Sequence, residues 1–368
     1  MKKIVFLTWT RADFWKIKSL IDILEKSNKF EVYVFVTWMH LLEKFWFTAD
    51  EIIDTYKNVY LAKNQFWWEP AYNILANTTN IFWQYIDLIK PDLIVVHWDR
   101  LEALAWAIVG VYSNILVAHI EWWESSGSVD ESVRYSISKL SHIHFVSSLE
   151  AEKKLKKMEE KNIYNIWSPD FDIINKISTK NTRIILKRYN INFDEYGIAI
   201  FHSVTTEAHK FDEYSKEFFK WIIESNKNFI LIYPNNDLGS EKIIEYFEKY
   251  IPANLLKTKF KLFRSIPFED FIVILKNAKC IVWNSSAWVR QAPFIGIPTV
   301  NVWNRQKWRN NYKSIFNVTY KSEDIKNCIL KVWWKKFDSD KKFGDGFAYK
   351  KFYEILEHWN IFNIPLQK

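Results

Sequence analysis

The sequence predicts an α/β protein made of two doubly wound, Rossmann-like domains with parallel sheets. Short apolar runs of strand length alternate with longer helical segments in both halves, which is typical of parallel sheets covered by helices. The length of 368 residues suits two domains. Residues 173–195 are rich in Lys, Asn and Thr and have weak apolar periodicity, so we expect the crossover between the domains there.

Residues 93–132 organise the first half of the chain. They predict a buried strand, a polar turn, a helix, a second buried strand and an acidic turn that opens another helix. Asp99, Glu121 and Asp130 fall at the ends of these strands and in the loop beyond. Ligands bind at the carboxyl edge of an open parallel sheet, so three carboxyl groups there indicate acid–base chemistry.

The remaining elements follow from apolar periodicity and from chain breakers. We expect strands over residues 3–7, 31–36, 142–146, 197–201, 228–233, 260–263, 280–283 and 298–303, and helices over 14–26, 71–90, 133–140, 150–161 and 348–358. Residues 48–70 have no regular pattern, and we expect irregular structure there.

Composition argues against several classes of protein. The net charge of +8 is spread along the chain and forms no basic stripe, which disfavours nucleic-acid binding and suits an anionic small substrate. No apolar run is long enough to cross a membrane, and the apolar start suits a buried strand better than a signal peptide. Two cysteines give neither a disulfide framework nor a metal site. We expect a cytoplasmic protein without a metal or cofactor.

Several motifs resemble those of one enzyme family. HWDR, HIEWWE and SGSVDES, from residues 97, 119 and 126, resemble the HGDR, HIEGGE and SGTxDxSxRH motifs of the hydrolysing UDP-N-acetylglucosamine 2-epimerases, which begin sialic acid synthesis. TWTRAD, TWMHL and IWSPDFD resemble the family's TGTRAD, TGMHL and xGxPxxD segments. The resemblance extends from about residue 3 to 356, with the motifs in the family's order.

The resemblance implies a glycosyltransferase-B-like fold, in which two Rossmann-like domains face each other across a cleft. It implies an N-terminal domain over residues 1–172 that carries the catalytic carboxylates, and a nucleotide-binding domain over 173–346. A final helix, at about 347–358, would pack back on the first domain. A UDP-sugar substrate and a homodimer or homotetramer are also implied.

The family's reaction converts UDP-N-acetylglucosamine and water to N-acetylmannosamine and UDP. A base removes the C2 proton while UDP leaves from C1, and water then adds to the 2-acetamidoglucal intermediate. The resemblance makes Asp99, Glu121 and Asp130 the candidates for base, acid and water activator, with the three roles left open among them. His202, in FHSVTTE, is the candidate that stabilises the leaving group.

Further motifs supply candidate substrate ligands by the same resemblance. Asn235 stands where the family's Asn faces the nucleotide sugar, and Gln291 stands where the family usually has a Glu that binds the ribose hydroxyls. An amide can still donate and accept hydrogen bonds there. The candidates for holding the diphosphate, through guanidinium groups or a helix amino end, are Arg11, Arg100, Ser285, Ser286, Arg305 and Arg309.

Trp replaces Gly systematically in these motifs. The chain has 20 Trp and 7 Gly, and the two counts together amount to the ordinary glycine share of about 7%. Several tryptophans fall in polar turns, where glycine is the residue that permits positive φ. We hypothesise that UGA codons, which mean Gly in some bacteria and Trp in others, are decoded as glycine at most of these positions. The alternative is a genuinely Trp-rich protein.

Other functions stay open at this point. The same chemistry could act on a UDP-2,4-diacetamido-trideoxy-hexose or a GDP-linked sugar that leads to legionaminic acid. A non-hydrolysing epimerase would interconvert two UDP-sugars, but its HIEAGLR hallmark is absent. If the tryptophans are genuine, their indoles would fill the sugar pocket, which would favour a nucleotide-sugar binding protein. A retaining glycosyltransferase of similar fold is disfavoured by the three carboxyl groups.

Overall fold

The computed structural model describes residues 1–41, 48–65, 69–122, 129–202, 211–234, 240–264, 266–284, 290–302, 312–358 and 360–367. Within them the chain forms two compact units, each described here by itself: Met1–Asn175 with Lys342–Lys368, and Lys176–Lys341. Each unit contains one parallel sheet with helices alternating along the chain, so the predicted α/β fold class is confirmed.

The sheet of the first unit has its switch point between β1 and β4. Among the described residues its strands are β1 (Lys2–Thr8), β2 (Phe30–Thr37), β3 (Val59–Ala62), β4 (Leu93–His97), β5 (Leu116–Trp122), β6 (Ile143–Val146) and β7 (Ile163–Asn165). Their order is β3-β2-β1-β4-β5-β6-β7, and paired strands are parallel. A reversal of chain order of this kind opens a crevice at the carboxyl ends of the strands.

Helices connect these strands. They are α1 (Arg11–Ser27), α2 (Asp50–Thr55), α3 (Ala71–Ile89), α4 (Leu101–Tyr112), α5 (Val129–Leu140), α6 (Leu149–Lys157) and α7 (Asp170–Lys176), with a 3₁₀ turn at Trp38–Leu41. The prediction of irregular structure over 48–70 was wrong, because α2 and β3 lie there. As an edge strand, β3 leaves Tyr60 and Leu61 42% and 40% exposed, so no buried apolar run marks it.

The second unit repeats the strand order of the first. Its described strands are β8 (Gly197–Ile200), β9 (Phe229–Ile232), β10 (Phe260–Phe263), β11 (Ile281–Trp283), β12 (Thr299–Val302) and β13 (Ile315–Val318). They are parallel in the order β10-β9-β8-β11-β12-β13, so the switch point lies between β8 and β11. The helices are α8 (Thr182–Arg188), α9 (Phe211–Glu224), α10 (Ser240–Tyr250), α11 (Ala253–Thr258), α12 (Phe268–Asn277), α13 (Gln291–Ile295) and α14 (Ser322–Val332).

The last helix, α15 (Ala348–His358), packs in the core of the first unit through Phe352, Ile355 and Leu356. Buried Asp172 holds its beginning, because the carboxylate accepts hydrogen bonds from the backbone N–H groups of Ala348 (2.7 Å) and Tyr349 (2.8 Å). In the parts of the chain that are described, no helix is long and apolar enough to cross a membrane.

The helix α1 shows how local sequence positions the site. Thr10 caps it, since its hydroxyl accepts a hydrogen bond from the Asp13 backbone N–H at 3.1 Å. This cap starts the helix at Arg11, three residues before the predicted start. Arg11 and Asp13 therefore stand in the first helical turn beyond β1, where backbone N–H groups favour nearby negative charge.

Three tryptophans have a left-handed backbone among the residues that the structure describes. They are Trp38 (φ 51°), Trp98 (φ 63°) and Trp167 (φ 70°). That conformation brings Cβ close to the following carbonyl oxygen, so it favours glycine and is rare for bulky side chains. All three stand in motifs where the resembling family has Gly. The backbone therefore supports the hypothesis that glycine occupies these positions.

Buried histidines lie beneath the carboxyl edge of the first sheet. His119 on β5 is fully buried; its Nε2 donates to the Trp98 carbonyl oxygen at 2.7 Å, so Nδ1 accepts from the Ser138 hydroxyl at 3.0 Å. His40, whose role the sequence left open, packs between the hydroxyls of Thr8 (3.1 Å) and Thr48 (2.8 Å). Burial lowers the pKa of each imidazole to about 3, so both are neutral.

Replacing Trp167 by Gly should raise the free energy of unfolding by about 0.5–1 kcal/mol. The relief of left-handed strain, about 1–2 kcal/mol, exceeds the roughly 0.5–1 kcal/mol of added chain entropy. Urea unfolding measures the change. The control is Trp221→Gly, which removes a buried indole packed edge-on against Phe218 and Phe229 and should cost about 3–5 kcal/mol.

Equal losses in the two variants would contradict the strain argument. Peptide mass spectrometry on the protein from its native cells tests the decoding hypothesis itself. Tryptophan found at positions 38, 98 and 167 would overturn it.

Stability should fall in acid because of His40 and His119. Their pKa is 6.5 in the unfolded chain and about 3 in the folded one, so the unfolded state binds more protons between these values. Their contribution is complete above about pH 6.5 and decreases toward pH 3, by up to about 1.4 kcal/mol per pH unit for each imidazole.

Urea midpoints measured between about pH 5 and pH 7 check this. His119→Gln keeps an amide donor for the Trp98 carbonyl and should reduce the pH dependence by about one proton. His358→Gln, at an exposed position on α15, is the control and should leave the slope unchanged. An unaltered slope in His119→Gln would show that this imidazole does not cause the acid sensitivity.

Candidate active site

Two of the three predicted carboxylates of the first unit, Asp99 and Glu121, stand at the ends of neighbouring strands at one edge of the sheet. Asp99 follows β4, Glu121 lies near the carboxyl end of β5, and Asp130 is the second residue of α5. β4 and β5 pair through His97 and Ile120, so Asp99 and Glu121 each lie within two residues of the end of this ladder. The side chains of Glu121 and Asp130 lie outside the described part of the structure.

The register of β5 changes at the Glu121 position. Ile120 pairs with Phe145 and Trp122 pairs with Val146, so Glu121 is the additional residue of a β-bulge against β6. Bulges are frequent beside active sites, where they redirect a side chain relative to a regular strand. The bulge therefore distinguishes Glu121 from an ordinary strand residue.

Asp99 is held by a residue that the sequence did not single out. Arg134, on α5 and 5% exposed, donates from Nε to Asp99 Oδ2 at 3.1 Å and forms an ion pair with the same oxygen through Nη2. Arg134 stands four residues after Asp130, so both lie on one face of α5. The Arg of the SGTxDxSxRH motif was the signal that could have identified it.

The turn that carries Asp99 is fixed on both sides of the carboxylate. The left-handed Trp98 donates its backbone N–H to the Ile120 carbonyl at 3.3 Å and accepts from His119. Next to it, His97 Nδ1 lies 2.5 Å from Asp13 Oδ1 on α1, with both side chains buried. The turn is thus joined to β5 and to the beginning of α1, where Arg11 lies half-buried.

Arg100 stands beside an additional buried carboxyl group. Its guanidinium lies 4.4 Å over the ring of Trp38, and its Nε lies 3.8 Å from Glu102 Oε2. Glu102 is 1% exposed, and burial raises its pKa, although the positive charge of Arg100 acts in the opposite direction. Asn64 also hydrogen-bonds the Glu102 side chain and accepts from the Trp38 backbone N–H at 3.1 Å.

In the second unit, His202 follows β8 at the switch point. Its backbone N–H donates to Asn284 Oδ1 at 2.8 Å, and Asn284 Nδ2 donates to the His202 carbonyl at 2.9 Å. Asn284 follows β11, the strand paired with β8, so one side chain connects the two strand ends. Asn284 directly precedes the candidate ligands Ser285 and Ser286 in the sequence, and no motif gave it a role.

Of the other predicted ligands of the second unit, the structure describes only Gln291. Gln291 is the first residue of α13 and is 5% exposed. The predicted ligands Asn235, Ser285, Ser286, Arg305 and Arg309 lie outside the described residues. Where side chains are described, no group of three or more His, Cys, Asp or Glu could hold a metal ion.

One family model and several curated proteins are similar to this chain in sequence. The family model described as UDP-N-acetylglucosamine 2-epimerase matches residues 22–357. A UDP-N-acetylglucosamine 2-epimerase of Neisseria meningitidis serogroup B is 40% identical, over 100% of this chain and 98% of the relative. The UDP-N,N'-diacetylbacillosamine 2-epimerase (hydrolyzing) of Legionella pneumophila is 28% identical, over 97% of this chain and 96% of the relative.

A solved structure shares the fold over nearly the whole chain. The UDP-GlcNAc 2-epimerase from Neisseria meningitidis bound to UDP-GlcNAc superposes with a TM-score of 0.79 at 18% identity, over 96% of this chain and 99% of the other. The family model and the 40% relative both span most of the sequence. This chain therefore belongs to the UDP-N-acetylglucosamine 2-epimerase family and is an enzyme of that family.

Proposed function

We propose that the protein hydrolyses UDP-N-acetylglucosamine to N-acetylmannosamine and UDP. The observation that carries the proposal is the Asp99 carboxylate, which Arg134 fixes at the carboxyl edge of β4 beside the strand that bears Glu121. The motifs HIEWWE and SGSVDES, which resemble the hydrolysing branch, add support. The hydrolysing relative from Legionella pneumophila supports the same branch at lower identity.

The reaction needs a base at C2, support for the departing diphosphate and a proton donor on the opposite face of C2. In the first step a carboxylate takes the C2 proton, the C1–O bond to UDP breaks, and a C1=C2 double bond forms. In the second step water adds, with its hydroxyl at C1 and a proton delivered to C2. Asp99, Glu121 and Asp130 are the groups we propose for base, acid and water activation.

The remaining candidates serve the substrate. Arg11, Arg100, Arg305 and Arg309 would neutralise the diphosphate as it leaves. Ser285 and Ser286 would donate hydrogen bonds to it. His202 would donate to it, since Asn284 fixes the backbone from which its side chain extends. Asn235 and Gln291 would bind the nucleoside and its ribose. We further propose a cytoplasmic homodimer or homotetramer, which sedimentation of the purified chain would test.

A second candidate is the same chemistry on a UDP-2,4-diacetamido-trideoxy-hexose. The relative from Legionella pneumophila favours it, because that protein is named for a diacetylated UDP-sugar. The two substrates differ at C4 and C6 of the sugar, and the reacting atoms at C1 and C2 are the same. The carboxylates named above would therefore serve either substrate.

A proton NMR time course with UDP-N-acetylglucosamine in deuterated water tests the proposal. We expect free N-acetylmannosamine deuterated at C2, together with UDP, because elimination and hydration exchange the C2 proton with solvent. The chain is assayed as written and with glycine at the Trp positions that the sequence pattern assigns to polar turns, which are Trp9, Trp15, Trp98, Trp122, Trp123, Trp303 and Trp308. The assignment to turns was wrong for Trp15, which lies in α1, and for Trp122, which ends β5.

Other results of this NMR experiment would favour one of the alternative functions. UDP-N-acetylmannosamine as the product would indicate the non-hydrolysing reaction. Turnover of the diacetamido sugar alone would select the second candidate. UDP binding without turnover of any of these sugars would leave a binding protein.

Arg134→Met should lower kcat by roughly 10- to 100-fold with a small effect on KM, because Asp99 loses the group that fixes its position. Arg134→Lys should fall between wild type and Arg134→Met, since an ammonium lacks the guanidinium fork. UDP release measures both constants. The control is Arg188→Met, which removes an Arg–Asp ion pair of 2.8 Å in the second unit and should leave kcat within about twofold. Wild-type kcat in Arg134→Met would remove Arg134 from the proposed machinery.

A further inference from the structure

We propose that the buried Asp13–His97 pair is a positioning element that sets the turn bearing Asp99 against the turn bearing Arg11. The inference rests on the proposed function, because these turns supply an acid–base group and a diphosphate ligand for that reaction. The sequence and the family resemblance gave neither Asp13 nor His97 a role. Neither residue is proposed to touch the substrate.

The first argument is where the strand pairing ends. The β1–β4 ladder stops at Phe6 and Val95, two residues before His97, whereas β4 stays paired with β5 through His97 and Ile120. Backbone hydrogen bonds therefore tie the turn after β4 to β5, and beyond Val95 they no longer tie it to β1. The Asp13–His97 contact continues the β1–β4 link at the level of the site.

The second argument is the geometry of the pair. His97 Nδ1 donates to Asp13 Oδ1 at 2.5 Å, and the side chains are 1% and 2% exposed. The other carboxylate oxygen of Asp13 accepts the Trp9 backbone N–H at 3.4 Å. The Trp9 ring also lies over the imidazole, with centroids 6.1 Å apart and planes at 20°. Two residues of the segment from β1 into α1 therefore contact His97: Asp13 through a hydrogen bond and Trp9 through its ring.

The third argument is energetic. A buried carboxylate–imidazole pair is a poor source of stability, because desolvation of the two groups offsets most of their attraction, and apolar replacements are often neutral or stabilising. Such a pair does fix the position of one side chain relative to the other, since the hydrogen bond requires one orientation of the imidazole. Asp13 and His97 each stand two residues from a site group, Arg11 and Asp99 respectively. A shift of about 1 Å between such groups can cost about 100-fold in rate.

Two amide substitutions of His97 test whether a hydrogen-bond donor at the place of Nδ1 is what matters. In His97→Asn the amide nitrogen sits near the place of Nδ1 and can still donate to Asp13, whereas in His97→Gln it sits near the place of Nε2. We expect His97→Gln to lower kcat roughly 10- to 100-fold with KM within about threefold, and His97→Asn to keep kcat within about threefold of wild type.

The matched control is His144→Asn. His144 Nε2 pairs with buried Glu160 Oε2 at 3.2 Å, and the asparagine amide nitrogen sits near the place of Nδ1, so the pair on β6 is lost. We expect a loss of stability similar to that of His97→Gln and a kcat close to wild type. Equal kcat in His97→Asn and His97→Gln, or a similar kcat loss in His144→Asn, would overturn the inference.

Crystal structures of the two His97 variants test the inference without any substrate. In His97→Gln the backbone of residues 98–100 should move away from Arg11, and in His97→Asn it should stay in place. An unmoved turn in His97→Gln would overturn the positioning role even if the enzyme is active. Wild-type protein that does not turn over UDP-N-acetylglucosamine would count against the proposed function, while the two structures would still decide the positioning role.

Discussion

The turn that follows β4 is the constraint on which the candidate site of the first unit depends. Each of the first three residues of this turn is held by a different element. Asp13 on α1 binds the His97 imidazole, and His119 on β5 binds the backbone carbonyl of the left-handed Trp98. Arg134 on α5 binds the Asp99 carboxylate. Because three elements meet at one turn, any change in their packing reaches Asp99. The buried imidazoles beneath it are neutral, so they add hydrogen bonds to this edge of the sheet without adding charge.

In both units, side chains connect the two strand ends at the switch point. The backbone ladder between β1 and β4, like that between β8 and β11, ends before the candidate site residues that follow it. In the first unit the hydrogen-bonded side chains of Asp13 and His97 bridge the gap, and in the second unit the amide of Asn284 bridges it. A side-chain hydrogen bond connects two strand ends without extending the backbone ladder into the crevice. The crevice can then stay open to a ligand while the two strand ends keep a fixed distance from each other.

Position 98 is subject to conflicting demands. Its backbone adopts a conformation that favours glycine, whereas its indole covers the Lys16 ammonium, which lies 3.3 Å from the ring centroid. Glycine there would remove the strain and uncover that ammonium, which also lies 4.0 Å from Asp170 Oδ2. The identity of this one residue therefore affects both the folding energy of the turn and the surroundings of the Lys16 ammonium. The same backbone demand at Trp38 and Trp167 links the composition of the chain to specific conformations.

The α/β class, the central strands, and the places of Asp99 and Glu121 at strand ends and of Asp130 beyond β5 could be predicted from the sequence, because buried parallel strands are continuous apolar runs and their carboxyl ends share one edge. The sequence did not mark β3, β7 or β13, since these edge strands are short and only partly buried. Which side chains fix the candidate site residues depends on the tertiary fold. Asp13 and His97 are 84 positions apart, Asp99 and Arg134 are 35 apart, and His202 and Asn284 are 82 apart. Nothing in local periodicity connects residues so far apart, because their contacts arise when elements distant in the sequence become neighbours in the fold.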